Sequence, residues 1–532
     1  MYLADIIKQE FREWQPFSKV FIQAPTGIGK TTFVMQYLLP FALEEGREIL
    51  YVSNRTILQQ QLVAEICKIF KISYELIEKK GIMEFKGITF VSYQTLQEKL
   101  KENNNQYPFY DYIIFDEAHY LVEDANFNPA ILRLIKWIPY MNCNIFIAIS
   151  ATMGDVLPYL GRYEKSWKLI SEKENLKIFC RPSQNLICSL KGMQECMYHY
   201  HISQRKSKYQ IVVYSDIEDI VDMINIDTTE KKWLIFQSSK AGANTKIKKQ
   251  LQCLVAFISA EEKDGVLMQK LIEEQQFKEK VLIATKVIDN GVSLHDKKLV
   301  NLVMDTTSKT EFLQMIGRRR NVDDDTKITL YLPKLSKSYF CWILYKQIIP
   351  AQQLLNLPQN EIKEKLLISE DNWRIIRRFC LFEKGELRIN QIGKDNLENQ
   401  KQYIEKVISL LEEDELAFVK EQLSWIGYSD LPDDIIFLDD EKKKKGEQEI
   451  CLYLEQMVGK IISHEEQGQL REALQKYFSK IYPKHFVHKN RKMGKNLINQ
   501  CLREMHSDFE LISMPGKKKG EKSKWIIQHC QK

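Results

Sequence analysis

Two short apolar runs near the start of the chain each end in residues suited to handling phosphate. Val20-Phe21-Ile22 leads into Ala24-Pro25-Thr26-Gly27-Ile28-Gly29-Lys30-Thr31-Thr32, and Tyr112-Ile113-Ile114-Phe115 leads into Asp116-Glu117-Ala118-His119. Glycines at this spacing let backbone N–H groups face phosphate oxygens, a lysine reaches the β- and γ-phosphates, and the following hydroxyl ligates Mg²⁺. The assignment is therefore Lys30 for the phosphates and Thr31 for the metal. Asp116 would hold the same Mg²⁺ and Glu117 would orient and deprotonate the attacking water. The chemistry these two segments imply is hydrolysis of a nucleoside triphosphate.

Such residues need a parallel sheet to bring them together, and the chain has the rhythm for one. Apolar runs at Ile49–Val52, Ile88–Val91, Tyr112–Phe115 and Ile145–Ile149 read as buried strands, with helical patterns such as Thr32–Ala42 and Thr56–Phe70 between them. Strands alternating with helices give an α/β sheet whose ligands gather at the carboxyl ends of the strands, and both chemical segments fall at such ends. A second series, Trp233–Phe236, Val255–Ile258, Val281–Ala284, Leu302–Met304 and Ile328–Tyr331, repeats the rhythm without a phosphate loop. Between the two, a hairpin-like texture at Leu186–Leu190 and Met197–Ile202 reads as a connector.

The expected organisation is a first α/β domain over 1–163, a hairpin-rich connector over 164–210 and a second α/β domain over 211–335. A helical accessory region follows over 336–478, then a basic region over 479–532. The run Lys442–Lys445 reads as a solvated linker or loop.

At 532 residues the chain is too long for one core, and its 44% hydrophobic content is that of a globular protein. No apolar stretch reaches the roughly 18 residues of a membrane span and no signal peptide is legible, so a cytoplasmic protein without a membrane partner is expected. The eleven cysteines form no C-x-x-C pair. The cluster Cys180, Cys188, Cys196, His199 and His201 has spacing that suits strand faces better than a metal cage. The net charge of +6 is unevenly spread: from Lys480 onward there are 13 Lys/Arg against 4 Asp/Glu. A basic tail on a nearly neutral body points to a polyanion, nucleic acid first.

In this order the motifs resemble those of the superfamily 2 helicases, the DEAD/DEAH-box motors with two RecA-like P-loop domains, over about Val20 to Arg320. Ser53-Asn54-Arg55 through Gln60 is similar to the family's motif Ia, and Ser92-Tyr93-Gln94-Thr95 to a further strand-contacting motif. Ser150-Ala151-Thr152 is similar to motif III, Phe236-Gln237-Ser238-Ser239 to motif IV, Thr285 to Gly291 to motif V, and Gln314 to Arg318 to motif VI. The resemblance implies ATP and Mg²⁺ as cofactors, with the segment Ala24 to Thr32, Asp116, Glu117, His119, Gly291 and Arg318 around the nucleotide. It implies nucleic-acid contacts from Ser53, Asn54, Arg55, Gln60, Ser92, Thr95, Ser238 and Thr285. It also implies that Gln314 senses the γ-phosphate or the water, that His119 couples the acidic box to the second domain, and that an arginine enters the site in the transition state.

Two positions depart from the family pattern. Asn321 stands where motif VI usually ends in a second arginine, which leaves Arg320 as the nearest substitute and Arg319 as a lesser one. Ser293 stands where motif V usually carries an acidic residue. No adenine-reading glutamine is evident apart from a weak candidate at Gln15.

Beyond the motor motifs, a basic helix around Lys495 to Leu502 precedes two β-like runs joined by a segment carrying Lys517, Lys518 and Lys519. This resembles a winged-helix element for nucleic acid. The expected function is an ATP-dependent helicase or translocase, on DNA rather than RNA. The alternatives are a double-strand DNA translocase that does not unwind, or a DNA-binding regulator with a weakened ATPase.

Overall fold

The computed structural model describes residues 2–53, 67, 84–85, 87–123, 128, 131–141, 143–154, 156–160, 167–182, 194–202, 209–237, 247–258, 265–285, 292–320, 327–383, 386–482, 493–514 and 523–529. They divide into two compact units, one of Met1–Ile211 with Asp216–Ile435, the other of Val212–Ser215 with Ile436–Lys532.

In the first unit, side-chain alternation builds the sheet that carries the phosphate loop. Val20 and Ile22 enter one apolar core with Ile49, Tyr51, Tyr112 and Ile114. Phe21 enters the opposite core with Leu50, Val52, Ile113 and Phe115. Both faces are covered, which is why these strands read as unbroken apolar runs. The strands lie in the order Glu84–Phe85, Ile88–Ser92, Ile49–Ser53, Tyr110–Asp116, Cys143–Ser150, Ser18–Gln23, Gln194–His201, Leu176–Pro182, Lys168–Lys173. From Ile88–Ser92 to Gln194–His201 all neighbours are parallel.

The expected connector is corrected here. Gln194–His201 pairs directly with the phosphate-loop strand, and the two strands before it extend the same sheet antiparallel. The strands Lys168–Lys173, Leu176–Pro182 and Gln194–His201 therefore complete the first sheet, and Tyr198, Tyr200 and Ile202 bury against the same core as Val20 and Ile22. Cys180 and Cys196 are register partners within that hairpin. The candidate strand at Leu186–Leu190 lies outside the described residues, as does the expected helix over Thr56–Phe70 apart from Cys67.

A second parallel sheet orders Val255–Ile258, Val281–Ala284, Lys232–Gln237, Leu299–Asp305 and Ile328–Pro333. The helices Lys337–Ile343, Ile349–Leu355, Gln359–Ile368, Glu370–Ile376, Gln391–Glu413 and Ala417–Trp425 follow, interrupted by the hairpin Cys380–Glu383 with Glu386–Ile389. This is the two-domain α/β architecture with a helical region that the sequence led us to expect. The helix after the phosphate loop contains a π-helical turn, Val34–Leu38, just ahead of Pro40, whose missing N–H cannot continue the α-helical ladder.

The second unit begins earlier than the basic tail. It runs as helix Leu438–Glu455, strand Ile461–Ile462, helix His464–Ile481, helix Lys495–Glu504 and hairpin Phe509–Met514 with Lys524–His529. In its small sheet Lys524–His529 is central, flanked by Ile461–Ile462 and Phe509–Met514. Ile450, Leu454, Leu470, Leu474, Phe478, Ile498, Leu502, Leu511 and Trp525 share one core. The run Lys442–Lys445 lies inside the first of these helices, so it is neither linker nor loop. Its acidic first turn, Asp439 to Glu441, complements the helix dipole and sits within reach of the lysines.

Candidate nucleotide-hydrolysis site

The strand Ser18–Gln23 ends beside Ser150, whose carbonyl accepts the Ala24 N–H at 3.0 Å, and the chain then turns through Pro25 to Gly29. Gly27 and Gly29 have φ of 83° and 88°, a left-handed backbone that a side chain would strain. Lys30 opens the helix and is buried, and Thr31 and Thr32 lie half-buried in its first turn. The Leu3 N–H donates to the Ile28 carbonyl at 2.9 Å and ties the amino-terminal helix to the loop.

The acidic pair stands two strands away in the same sheet. Lys30 Nζ donates to Glu117 Oε1 at 3.2 Å. Glu117 has φ of 50°, a non-glycine residue in the left-handed region, the kind of local strain that clusters at active sites. Asp116 is held from three sides: Tyr51 Oη donates to Oδ2 at 2.7 Å, the Glu117 N–H donates to Oδ1 at 3.0 Å, and Tyr93 Oη donates to its main-chain carbonyl at 2.9 Å. Burial, reinforced by the neighbouring Glu117 charge, pushes the Asp116 carboxyl up to about 6, while Lys30 and the Tyr51 hydrogen bond oppose the rise. Burial beside these carboxylates also raises Tyr51 and Tyr93, so both phenols stay protonated and donate.

The second α/β domain reaches the site through its helix Lys309–Ile316 and the turn after it. Gln314 Nε2 meets His119 Nε2 at 2.5 Å, and His119 Nδ1 meets Ser150 Oγ at 3.0 Å. With Gln314 donating, His119 carries its proton on Nδ1 and donates a hydrogen bond to Ser150 Oγ. Thr152 and Thr310 share a hydroxyl contact of 3.2 Å, and Thr26 Oγ1 donates to the Leu313 carbonyl at 3.1 Å. A Cβ at Gly317 would stand 2.0 Å from Thr26 Oγ1, so only glycine lets the turn approach the loop this closely.

The arginine cluster separates by role. Arg320 lies over the loop, with Nη1 2.7 Å from where a Cβ on Gly27 would stand, and its Nε donates to Ser293 Oγ at 3.2 Å. Burial and the adjacent Arg318 draw the Arg320 guanidinium down to about 10, still cationic at neutral pH. Arg318 is buried, and its Nε has no hydrogen-bond partner among the described residues. Arg319 is buried too, but its Nε donates to the Leu299 carbonyl at 3.3 Å, back into the second sheet. Main-chain bonds from Leu294 to Arg318 and from Arg320 to Leu294 lock this turn against the segment that follows Gly291.

Buried cations on one side and hard oxygen donors on the other fit a Mg²⁺-bound polyphosphate. Lys30, Arg318 and Arg320 would supply the charge, and Thr31 with Asp116 could supply metal oxygens. Residues 2–155 match the family described as "ResIII: Type III restriction enzyme, res subunit". That stretch holds both the phosphate loop and the acidic tetrapeptide. Among solved structures, S. cerevisiae Dbp5 bound to RNA and ADP BeF3 is 14% identical, with a TM-score of 0.40, over 59% of this chain and 78% of that one. Mss116p bound to single-stranded RNA and AMP-PNP is 15% identical, with a TM-score of 0.40, over 68% and 78%. A fragment of a putative HsdR subunit of a type I restriction enzyme from Vibrio vulnificus YJ016 is 16% identical, with a TM-score of 0.37, over 62% of each chain. A comparison with curated proteins found no match.

The expected nucleic-acid contacts are unevenly placed. Ser92 and Thr95 cap and open the helix Tyr93–Glu102, with Ser92 Oγ accepting the Thr95 N–H at 2.9 Å and Thr95 exposed. Ser53 is buried at the end of its strand, and Thr285 is buried with its hydroxyl donating to the Ile258 carbonyl, so neither presents its side chain outward. Asn54, Arg55, Gln60, Ser238, Gly291 and Lys517–Lys519 lie outside the described residues. The side-chain amide of Gln15 donates to the nearby Glu13 carbonyl. Tyr51 and Thr310 were not singled out from the sequence, Tyr93 entered only as part of the segment Ser92-Tyr93-Gln94-Thr95, and Ser293 only as a departure from the motif V pattern. For Tyr51 the available signal was a phenol inside an otherwise apolar strand.

Proposed function

We propose that this chain is a superfamily 2 motor, an ATP-driven DNA translocase or helicase whose carboxyl-terminal unit grips the DNA. The observation that carries DNA over RNA is the connectivity of that unit. Helix, short strand, helix, helix and hairpin occur in the winged-helix order, with the last strand central in the sheet. The helix Lys495–Glu504 buries Ile498, Cys501 and Leu502 and leaves Asn496, Gln500 and Arg503 exposed, a polar face of the kind that enters a major groove. Its Asn499 brackets Leu511, donating to its carbonyl and accepting its N–H at 2.9 Å each, and this fixes the helix on the hairpin. The sequence between the hairpin's two strands contains the lysine run Lys517–Lys519.

Hydrolysis is assigned to the site above. Lys30 and the backbone N–H groups between Thr26 and Thr32 take the phosphates, and Thr31 and Asp116 would hold Mg²⁺, which would neutralise phosphate charge. Glu117 orients the attacking water and accepts its proton. Arg320 and Arg318 stabilise the charge that develops on the transferred phosphoryl group. The contacts Gln314–His119, Thr310–Thr152 and Leu313–Thr26 bridge the two α/β domains. Their making and breaking on each turnover would change the spacing of the strand contacts on the two domains and so move the motor.

The test is ATP turnover with single-stranded DNA, duplex DNA and RNA side by side, together with a strand-displacement assay. Stimulation by DNA above RNA supports the reading. Strand displacement assigns a helicase, and duplex stimulation without displacement assigns a translocase. Stimulation by RNA alone, or by none of the three, overturns it.

A further inference from the structure

Two buried phenols converge on the aspartate proposed to hold the metal, one from the strand that ends in Ser53 and one from the start of the helix that Ser92 caps, beside the proposed nucleic-acid contacts. Tyr51 lies on Ile49–Ser53, and Tyr93 is the first residue of the helix capped by Ser92. Ser53 and Ser92 are register partners at the ends of neighbouring parallel strands. One phenol fixes the Asp116 carboxylate at Oδ2, and the other fixes its main-chain carbonyl. Both rings are fully buried, and each is wedged by aromatic neighbours. Tyr51 packs on Phe90 at 5.6 Å, and Tyr93 on Phe115 at 5.3 Å and, stacked, on Tyr120 at 4.9 Å. Gln94, exposed on the same first turn as Thr95, donates to Tyr120 Oη at 2.5 Å, and Tyr120 directly follows His119.

A buried phenol in apolar surroundings has few places to put its proton, so the alignment of these bonds is sensitive to small shifts of the strands that carry them. A sub-ångström movement of the Ser92–Thr95 turn would be felt at Asp116 without any intervening flexible link.

We infer that Tyr51 and Tyr93 are positioning residues that couple nucleic-acid occupancy of the Ser92–Thr95 turn to the metal-holding geometry of Asp116. The role rests on the nucleic-acid reading given under Proposed function. Tyr51 sets which carboxylate lone pairs face the metal, and Tyr93 sets where the carboxylate's backbone sits. The strand thereby gates hydrolysis through the metal rather than through the phosphate loop.

The experiment uses the full chain, a fluorescent ADP analogue and a single-stranded DNA oligonucleotide. Analogue affinity is measured with and without the oligonucleotide, in excess Mg²⁺ and again in EDTA. In the wild type the oligonucleotide is expected to change affinity by at least about fivefold in Mg²⁺ and by less than about twofold in EDTA, a coupling at the lower end of the allosteric range. Tyr51→Phe and Tyr93→Phe each remove one hydroxyl and keep the ring. Each should bring the Mg²⁺ ratio below about twofold, with EDTA affinity at the wild-type value as the control for an intact loop. Phe variants that keep the full ratio overturn the inference. So does a change in their EDTA affinity, which would mark general damage. A wild type that binds the oligonucleotide without any Mg²⁺-dependent change overturns the coupling while leaving the nucleic-acid reading standing. Failure to bind single-stranded DNA, duplex DNA and RNA alike removes both.

Discussion

Arg320→Ala removes a guanidinium that lies against the phosphate loop, 2.7 Å from the Cβ position of Gly27, and that Ser293 orients through Nε. The group is held in a buried site beside Arg318 and remains charged at neutral pH, so it needs no rearrangement when phosphoryl charge develops. An arginine engaged in this way contributes about 10³- to 10⁵-fold to turnover when it acts alone. With Arg318 alongside, the loss of Arg320 is expected to lower kcat by at least about a hundredfold, or about 2.7 kcal/mol of transition-state stabilisation. Arg318→Ala is expected to cost a similar factor. The double variant should fall short of the product of the two, since neighbours that share one charge are not additive.

Ser293→Ala keeps the guanidinium and removes only its orienting partner. A loss of about 1 kcal/mol, five- to tenfold in kcat, is expected. The assay is steady-state phosphate release at saturating Mg-ATP and nucleic acid, with nucleotide affinity measured separately. Affinity should change by less than about threefold, because the contact matters chiefly in the transition state. An Arg320→Ala enzyme with wild-type kcat would refute the assignment and leave Arg318 as the sole candidate.

Glu117→Gln should bind Mg-ATP and fail to turn it over, whereas Lys30→Ala should lose nucleotide affinity as well; equilibrium binding and single-turnover hydrolysis separate the two. The raised Asp116 carboxyl predicts weakening Mg-nucleotide binding as the pH falls through about 6, to about a tenth by pH 5, with nucleotide binding in EDTA much less affected. The sign follows from burial: the ionised form is disfavoured in the folded chain, so its destabilising effect is present above about pH 6 and is relieved by protonation or by a bound cation. Charge reversal at Lys517, Lys518 and Lys519 should weaken duplex DNA binding and flatten its salt dependence by close to 0.9 per lost phosphate contact, leaving DNA-free ATP turnover unchanged. Truncation at Lys480 would be a poorer probe, since the cut falls within the helix His464–Ile481. An unchanged salt slope in the charge-reversed chain would make the hairpin tip a surface without a role on DNA.

The phosphate loop, the acidic tetrapeptide and the two α/β series were legible in the sequence because each is local. A glycine with positive φ, a lysine at a helix start and carboxylates after an apolar run all have their chemistry set within a few residues. The same holds for the basic helix and hairpin of the tail, whose apolar spacing gives them away. Features set by contacts between distant segments were not legible. The span 164–210 reads as hairpins in isolation, and only its pairing with Ser18–Gln23 makes it part of the first sheet. Lys442–Lys445 reads as a loop by charge alone, yet the buried Ile450 and Leu454 further along the same helix hold it in the second unit's core. Among three consecutive arginines no local rule assigns the roles. The close approach of Gly317 to Thr26 and the bonding of the turn to Leu294 direct Arg320 to the phosphate loop and Arg319 to the sheet. Tyr51, Tyr93 and Thr310 are ordinary residues in sequence, and Ser293 stands out there only as a departure from the motif V pattern. Their significance arises because a low-dielectric interior requires every buried polar group to find a partner, and the fold made those partners Asp116, Arg320 and Thr152.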